Sequence, residues 1–431
     1  MKNTLLTRLL RPSVAGALLA VAALPAAAVD LKTADGSWTF SIDGNVNVDY
    51  IYSSCEANPI AINGGLTCGA TGNGSSVSNI GNGLLPAAFS FGVATTQDGI
   101  DLAAHLGLYP GIATNDGGSP NLQANRANGS SNTALGTTGL DVRQVYMTFG
   151  NKDMGTFTLG RNIGLFGADA ILHDMTLPGV GAPGSAASAA PSNTTLGGIG
   201  FGYIYTDWLA QIDWTTPDIA GFSGTIGVFD PLNSLTDNAT VQPKKAPGFH
   251  AKISYKLPIN DTTKLYVSVA ALTQEQNYQY PVAVPGSPVN YNYRGTGGDV
   301  FVMFDMDALE VFGYYYHAKG LGTTALFNLG ADPTGDTRIS WGYLVQATYK
   351  FGPLKVGFNY GDSRLDATTL DLAGLNPNLV ASNRKGTLGL YYSLTKNLTL
   401  LAEGSRVKSV SYSDLGSNQS WTGNVGAYLE F

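Results

Sequence analysis

Four histidines, His105, His173, His250 and His317, are the side chains best suited to moving a proton near neutral pH. Covalent catalysis needs a nucleophile, a base and an orienting group within reach of one another. None of the four lies in a recognisable serine-containing motif, and G-x-S-x-G is absent. The residues therefore argue against an enzyme. Cys55 and Cys68, the only cysteines, stand in a Gly/Asn/Ser-rich stretch. Either they pair in an oxidising compartment, closing a loop worth about 3 kcal/mol, or they remain two thiols. Nothing near them supplies two more metal ligands, so neither a metal nor a cofactor is implied. The remaining chemistry is that of charged side chains on polar faces: Asp43, Asp49, Asp101, Glu310 and Glu403 against Lys252, Lys355 and Lys385. Charges spread along a polar face act on solutes through their summed field and bind little tightly. The acidic excess predicts a mild preference for cations.

The elements that carry these charges have period 2. From Trp38 to Tyr52 the even positions are apolar or glycine: Trp38, Phe40, Ile42, Gly44, Val46, Val48, Tyr50 and Tyr52. The odd positions are polar as far as Asp49. Such alternation marks a strand with one apolar and one wet face. It is far longer than the usual five or six residues of a soluble strand. The texture returns at Leu265–Ala271, at Ile339–Phe351, at Leu354–Tyr360 and from Trp421 to the terminal Phe431. Short turns near 96–99, 151–154, 258–261, 352–353 and 395–397 alternate with long Gly/Asn/Ser/Pro-rich connections. The long ones lie near 53–86, 110–139, 162–198, 230–247, 274–296, 318–336, 363–383 and 408–419. Eight long loops joining strand pairs predict an all-β transmembrane antiparallel barrel of about sixteen strands. Lipid offers no hydrogen bonds, so a membrane sheet must close on itself. A propeller or solenoid is the soluble alternative, but no repeat period is visible.

Composition agrees. Charged residues make up 13% of 431, against roughly 25% in ordinary soluble domains. Aromatic content of 10% rules out a disordered chain. Twenty-four basic against 31 acidic residues, without a basic run, argue against nucleic-acid binding. No stretch beyond residue 28 is long and apolar enough for a membrane helix.

Residues 1–28 have the form of a secretory signal peptide. Lys2, Arg8 and Arg11 precede the apolar run Val14–Leu24 and the small residues Pro25-Ala26-Ala27-Ala28. Removing those three of 24 basic residues, against 31 acidic ones, moves the net charge from −7 to −10. Residues 29–431 then read as one domain.

Val142-Arg143-Gln144-Val145-Tyr146-Met147-Thr148-Phe149-Gly150 runs into Gly155-Thr156-Phe157-Thr158-Leu159-Gly160-Arg161-Asn162, followed by Asp174-Met175-Thr176-Leu177-Pro178-Gly179. This pattern resembles the trimeric general-diffusion porins of Gram-negative outer membranes. There a G-x-F-x-x-G-R-N strand feeds a third loop that folds into the barrel. The resemblance implies a water-filled channel for passive diffusion of ions and small hydrophilic solutes, in a homotrimer embedded in outer-membrane lipid. It makes residues 162–198 the constriction loop. Arg143 takes the place of a pore-wall arginine, Asp174 that of a loop aspartate, and Arg161 matches the G-R-N arginine. Asp169 and His173 fall in the same loop. Tyr428 and Phe431 resemble the terminal signal read by the barrel-insertion machinery. The pattern departs from the family at Gly179, where a glutamate is usual, and at the inserted Thr176. The tract Gly179–Ala190, rich in Gly, Ala, Ser and Pro, reads either as a smooth aperture or as a plain surface loop.

Parity conflicts with the resemblance at one position. Val145, Met147 and Phe149 would take Arg143 outward with them, whereas the resemblance places it inward. A bulge near Gln144, or a strand top above the bilayer, reconciles the two. The alternative reading is a substrate-specific channel for a sugar or small organic acid. For it, Tyr314-Tyr315-Tyr316, Tyr391-Tyr392 and Tyr278/Tyr280 are the candidate stacking groups.

Overall fold

The alternation after Trp38 becomes one long strand, β2 (Trp38–Cys55), which follows a short β1 (Val29–Lys32). Asn45, Asn47, Asp49 and Ser53 are buried on its inner face, while Val46, Val48, Tyr50 and Tyr52 are exposed on its outer face. The computed structural model describes residues 29–56, 61–68, 76–112, 140–183, 194–233, 240–279, 290–413 and 416–431. The expected signal peptide lies outside the described residues.

After β2 come β3 (Ser76–Gly81), β4 (Ala88–Gln97), β5 (Ile100–Pro110), β6 (Leu140–Asn151) and β7 (Gly155–Ile163). A short helix, α1 (Ala168–His173), precedes β8 (Trp208–Thr215), β9 (Phe222–Phe229) and β10 (Thr240–Val241). Next are β11 (Gly248–Pro258), β12 (Thr263–Gln279), β13 (Asn290–Met306), β14 (Leu309–Lys319) and β15 (Ile339–Phe351). The last four are β16 (Leu354–Leu365), β17 (Val380–Ser393), β18 (Leu398–Ser411) and β19 (Ser417–Glu430). Neighbours pair antiparallel around the ring, and β19 closes on β2 with Glu430 opposite Asn45. The two pieces β3 and β4 pair with the upper and lower parts of β2, so they form one interrupted stave. With β1 and the two-residue β10 set aside as short additions that pair with β2 and β12 beyond the ends of β19 and β11, the barrel has sixteen staves. The terminal Phe431 exchanges both backbone hydrogen bonds with Gly44 at the seam, at 2.9 and 3.0 Å.

The break between β3 and β4 is built by a buried side chain. Asn47 donates to Leu85 O at 2.9 Å and accepts from Gly83 N at 2.9 Å, satisfying backbone groups that the interrupted ladder leaves over. The segment so released turns inward. Leu84 and Leu85 donate to Gly179 O and Leu177 O, in the loop that enters the barrel.

The polar lumen read from the alternation does not hold along β12–β15. There Leu272, Phe301, Phe312, Tyr314, Tyr316 and Leu344 point inward and are almost fully buried. They pack on Phe166, Ile171, Leu177, Tyr203 and Ile204 of the inserted loop and on Leu321 and Phe327 of the connection after β14. The hydrophobic core thus sits inside the barrel, where loop and wall exclude water from each other. Tyr278, Tyr314 and Tyr316 belong to this core, not to an open stacking surface.

Three outer connections are tied together. The Cys55–Cys68 disulfide, with Cα atoms 5.3 Å apart, fastens the first one at the top of β2. Its Ile62 packs on Leu365, Leu379 and Val380, and Asn63 exchanges backbone bonds with Asn378 and Val380. Arg338, only 3% exposed, grips Asp371 through two hydrogen bonds of 2.7 and 2.8 Å. Burial pushes the Asp371 carboxyl up, but the bonds from Arg338 and Thr368 outweigh it and hold the group below its ordinary value. A depressed folded pKa stabilises fully above the unfolded value near 4 and ceases to do so as pH falls through the folded one. Cleavage of the 366–379 connection by an acid-tolerant protease should therefore increase as pH drops below about 4. The Asp371→Asn variant should be cleaved readily at neutral pH already. Equal resistance of both proteins at every pH would refute the clamp.

Candidate functional site: pore and constriction loop

Residues 164–183 and 194–207 enter the barrel and are held to the wall at a series of points, while residues 184–190 of the Gly179–Ala190 tract lie outside the described residues. The loop is longer than the 162–198 expected from sequence. Asp169 of α1 accepts from Lys252 of β11 at 2.7 Å and from the Ser268 hydroxyl of β12. Burial raises the Asp169 carboxyl, but the Lys252 ammonium and hydrogen bonds from Lys252 and Ser268 hold it below the usual range. Gly167 N donates to Asp299 of β13 at 2.7 Å. Gln346 of β15 takes Met175 N at 2.7 Å and gives its amide to His173 O at 2.8 Å. Asp174, 2% exposed, accepts from Tyr203 OH, Asn359 and both donors of Thr176. Glu403 of β18 accepts from Val180 N and Gly181 N, each at 2.8 Å, and from Tyr391 OH at 2.6 Å. Lys385 of β17, fully buried, donates to Gly197 O at 2.8 Å. Gly202 N donates to Ser363 Oγ at 2.7 Å.

Asp169, Asp174, Lys252, Lys385 and Glu403 therefore hold the loop against the wall, and their charges are turned away from open water. Asp49 is likewise buried, accepting from Asn424 at 2.8 Å. Asp43 stands across from Ser90 and is half-buried, and Asp101 accepts from Thr96 at 2.6 Å beside a tight turn.

Arg143 resolves the parity conflict. Gly107 pairs with Gln144 and Leu108 with Val142, so Arg143 is the extra residue of a β-bulge. Arg143 and Gln144 are both buried on the inner side. The guanidinium pairs with Asp141 at 3.1 Å and lies over the Tyr109 ring at 5.2 Å. Arg161 is a correction. It pairs with Val145 and Ala210 and shares the outward parity of Phe157 and Leu159. The alternation of β7 continues through the G-R-N triplet and takes the arginine to the outside.

Below the loop lies a cavity of about 430 Å³. Leu85, Leu172, Met175, Leu177 and Pro178 roof it, with His173 at the edge. Its walls carry Asp305, Asp307, Glu310 and Glu430 together with Lys350 and Lys355. Asp305 and Glu310 stand directly opposite each other on β13 and β14, and Lys355 lies 4.7 Å above the Tyr391 ring. Tyr428 lines the same space.

Sequence reasoning missed Asp299, Gln346, Asn359 and Ser363, which all receive the loop. Each sits at an inward parity position of its strand, and a polar side chain at that parity was the available signal. It missed Asp305, Asp307, Lys350 and Glu430 because they flank the tight turns and seam, where alternation ends.

A closed sixteen-stave antiparallel barrel with an apolar outer face and a loop folded into its lumen defines an outer-membrane channel. The chain belongs to the Gram-negative porin family, whose profile matches residues 15–411. It forms a channel for passive diffusion across the outer membrane. The outer-membrane channel DcaP of Acinetobacter baumannii has a similar structure, with 15% identity, TM-score 0.66 and coverage of 93% of this chain and 99% of that one. An anion-selective porin from Comamonas acidovorans shares 14% identity over 91% of this chain and 100% of its own, with TM-score 0.56. Salmonella typhi OmpF, in a complex with daunomycin, shares 14% over 94% and 100%, with TM-score 0.54. No curated protein sequence matches the chain.

Proposed function

We propose that the channel passes ions and small hydrophilic solutes with a mild preference for cations, set by the vestibule beneath the constriction loop. The observation that carries this is the composition of that cavity, where Asp305, Asp307, Glu310 and Glu430 face Lys350 and Lys355. Of the anchoring carboxylates Asp169 is paired with Lys252, while Asp174 and Glu403 are buried and taken up by hydrogen bonds to the loop, so a passing ion meets the vestibule charges most directly. Arg143 beside Asp141 narrows the lumen from the opposite wall, and His173 edges the passage. The chain works as a homotrimer in outer-membrane lipid, after export by residues 1–28 and insertion through the Tyr428–Phe431 terminus.

The test is the reversal potential across a planar bilayer under a KCl gradient. Wild-type protein should reverse on the cation side. Asp305→Asn/Glu310→Gln should move the potential toward zero or the anion side, and more so at low salt, where the Debye length is longer. An unchanged potential in the variant would remove the vestibule from the selectivity.

The substrate-specific reading keeps one supporting observation, the apolar roof above charged walls. A solute held there would block ion current saturably, whereas passive diffusion predicts no saturation.

A further inference from the structure

The outer faces of β16, β17 and β18 carry a feature that ion conduction does not use. Arg364, Arg384, Arg406 and Lys408 project outward near the strand tops. Arg384 pairs directly with Lys408 across β17 and β18. Arg364 lies 4.9 Å over the Trp341 ring, and Arg406 lies 5.3 Å over the Trp421 ring. Asp362, 1% exposed, sits between Arg364 and Arg384, at 3.1 and 3.3 Å; it accepts two hydrogen bonds from Arg364 and faces Arg384 as an ion pair. Glu56 marks the edge, its carboxylate taken by Gln419 N at 3.0 Å.

These cations stand high on their strands within about one pair of residues of each other: from the rung that joins Leu354 to Tyr392, Arg364 is ten residues up and Arg384 eight. Arg364, Arg384 and Arg406 each stand eight residues above an outward apolar residue near the lower turns, namely Val356, Tyr392 and Leu398. Eight residues of strand tilted about 45° rise roughly 19 Å, close to the upper rim of an apolar band about 25 Å tall. Directly beneath lie Phe358, Leu388, Leu390, Leu400 and Val425, all exposed. The surface thus pairs a basic, aromatic-braced upper zone with an acyl-compatible lower one. The tops of β12 and β13 are balanced instead: eight residues above Leu265 stands Thr273, opposite Thr296, and two further on Glu275 faces Arg294.

We infer that the outward faces of β16–β18 bind the phosphorylated headgroup of an outer-leaflet lipid, its acyl chains lying on the apolar zone below. Guanidinium groups match phosphate oxygens in a planar fork, and charge-assisted bonds of this kind are the strong ones. The bracing tryptophans pre-order the arginines, which lowers the ordering cost of binding.

The test titrates bisphosphorylated lipid A into the folded barrel in neutral detergent and reads bound lipid per protomer by native mass spectrometry. Arg406→Gln/Lys408→Gln leaves the Asp362 pairs intact and should weaken binding about tenfold or more. Lys152→Gln, in a tight turn at the other end of the barrel, should bind as wild type. Heat-modifiable migration on a mild-detergent gel checks that each barrel is folded. Should the double variant fail to fold, Lys408→Gln alone should weaken binding by a smaller factor. Wild-type affinity in a folded variant overturns the proposal, as does full competition by inorganic phosphate, which would show a site for free anions.

Discussion

Lys252→Met should loosen the constriction loop and raise single-channel conductance, with noisy steps in place of steady ones. The Lys252 side chain is 18% exposed and that of Asp169 is 10% exposed. Removing the lysine leaves a carboxylate buried among Ser268, Tyr266 and the wall. Breaking one partner of a buried pair costs about 3–5 kcal/mol, because the remaining charge is uncompensated. That is comparable to the stability of a small cooperative segment, and a loop held by point contacts can relieve it by swinging Asp169 into water. The barrel itself, paired stave to stave, should keep its heat-modifiable gel shift. Lys252→Met/Asp169→Leu removes both charges at similar volume and should restore steady steps in part. Steady wild-type conductance in the single variant would show that the other anchors suffice and that this pair is dispensable.

The contrast between barrel and anchors shows what sequence can carry. Strand number, short turns, long loops and the closing seam follow from alternation, since a strand with one face in lipid must repeat at period 2. The same parity places Asp49, Lys385 and Glu403 on the inner side. It cannot say that the inner side is covered. Whether Glu403 faces water or Val180 N depends on a loop more than two hundred residues away, and no local pattern encodes that separation. The aromatic inner face of β13 and β14 has the same origin. Phe301 and Tyr316 are inward in a chain whose inner faces are otherwise polar, and only the arriving loop explains them. Arg143 and Arg161 make the converse point. One extra residue at a bulge turns the first inward, while uninterrupted alternation turns the second outward, so two arginines of one motif part company.

Gly361→Val should displace the loop from the opposite wall and widen the passage more than any charge change there. A Cβ at Gly361 would lie 1.7 Å from Phe201 O, a backbone atom that cannot rotate aside. Gly361 is paired on both sides, to Leu344 and Lys385, so β16 is held and the loop must yield. The loop has little slack at this point. Gly202 has φ +117°, and a Cβ there would come within 2.3 Å of Tyr343 O, so the two backbones meet with no side chain between them. Displacing residues 198–204 also uncovers Tyr203 and Phe201, both fully buried, at a cost of about 1.5–3 kcal/mol for each large apolar side chain. The expected result is a larger conductance with frequent substates. Gly202→Ala attacks the same contact from the loop side and leaves every stave untouched, so it should act in the same direction even if the valine impairs barrel assembly. Gly404→Ala is the control, since a Cβ there meets nothing within 4 Å. Wild-type conductance in both Gly361→Val and Gly202→Ala would mean that residues 198–204 do not limit the pore, and the aperture would then have to lie between α1 and the β4–β7 wall.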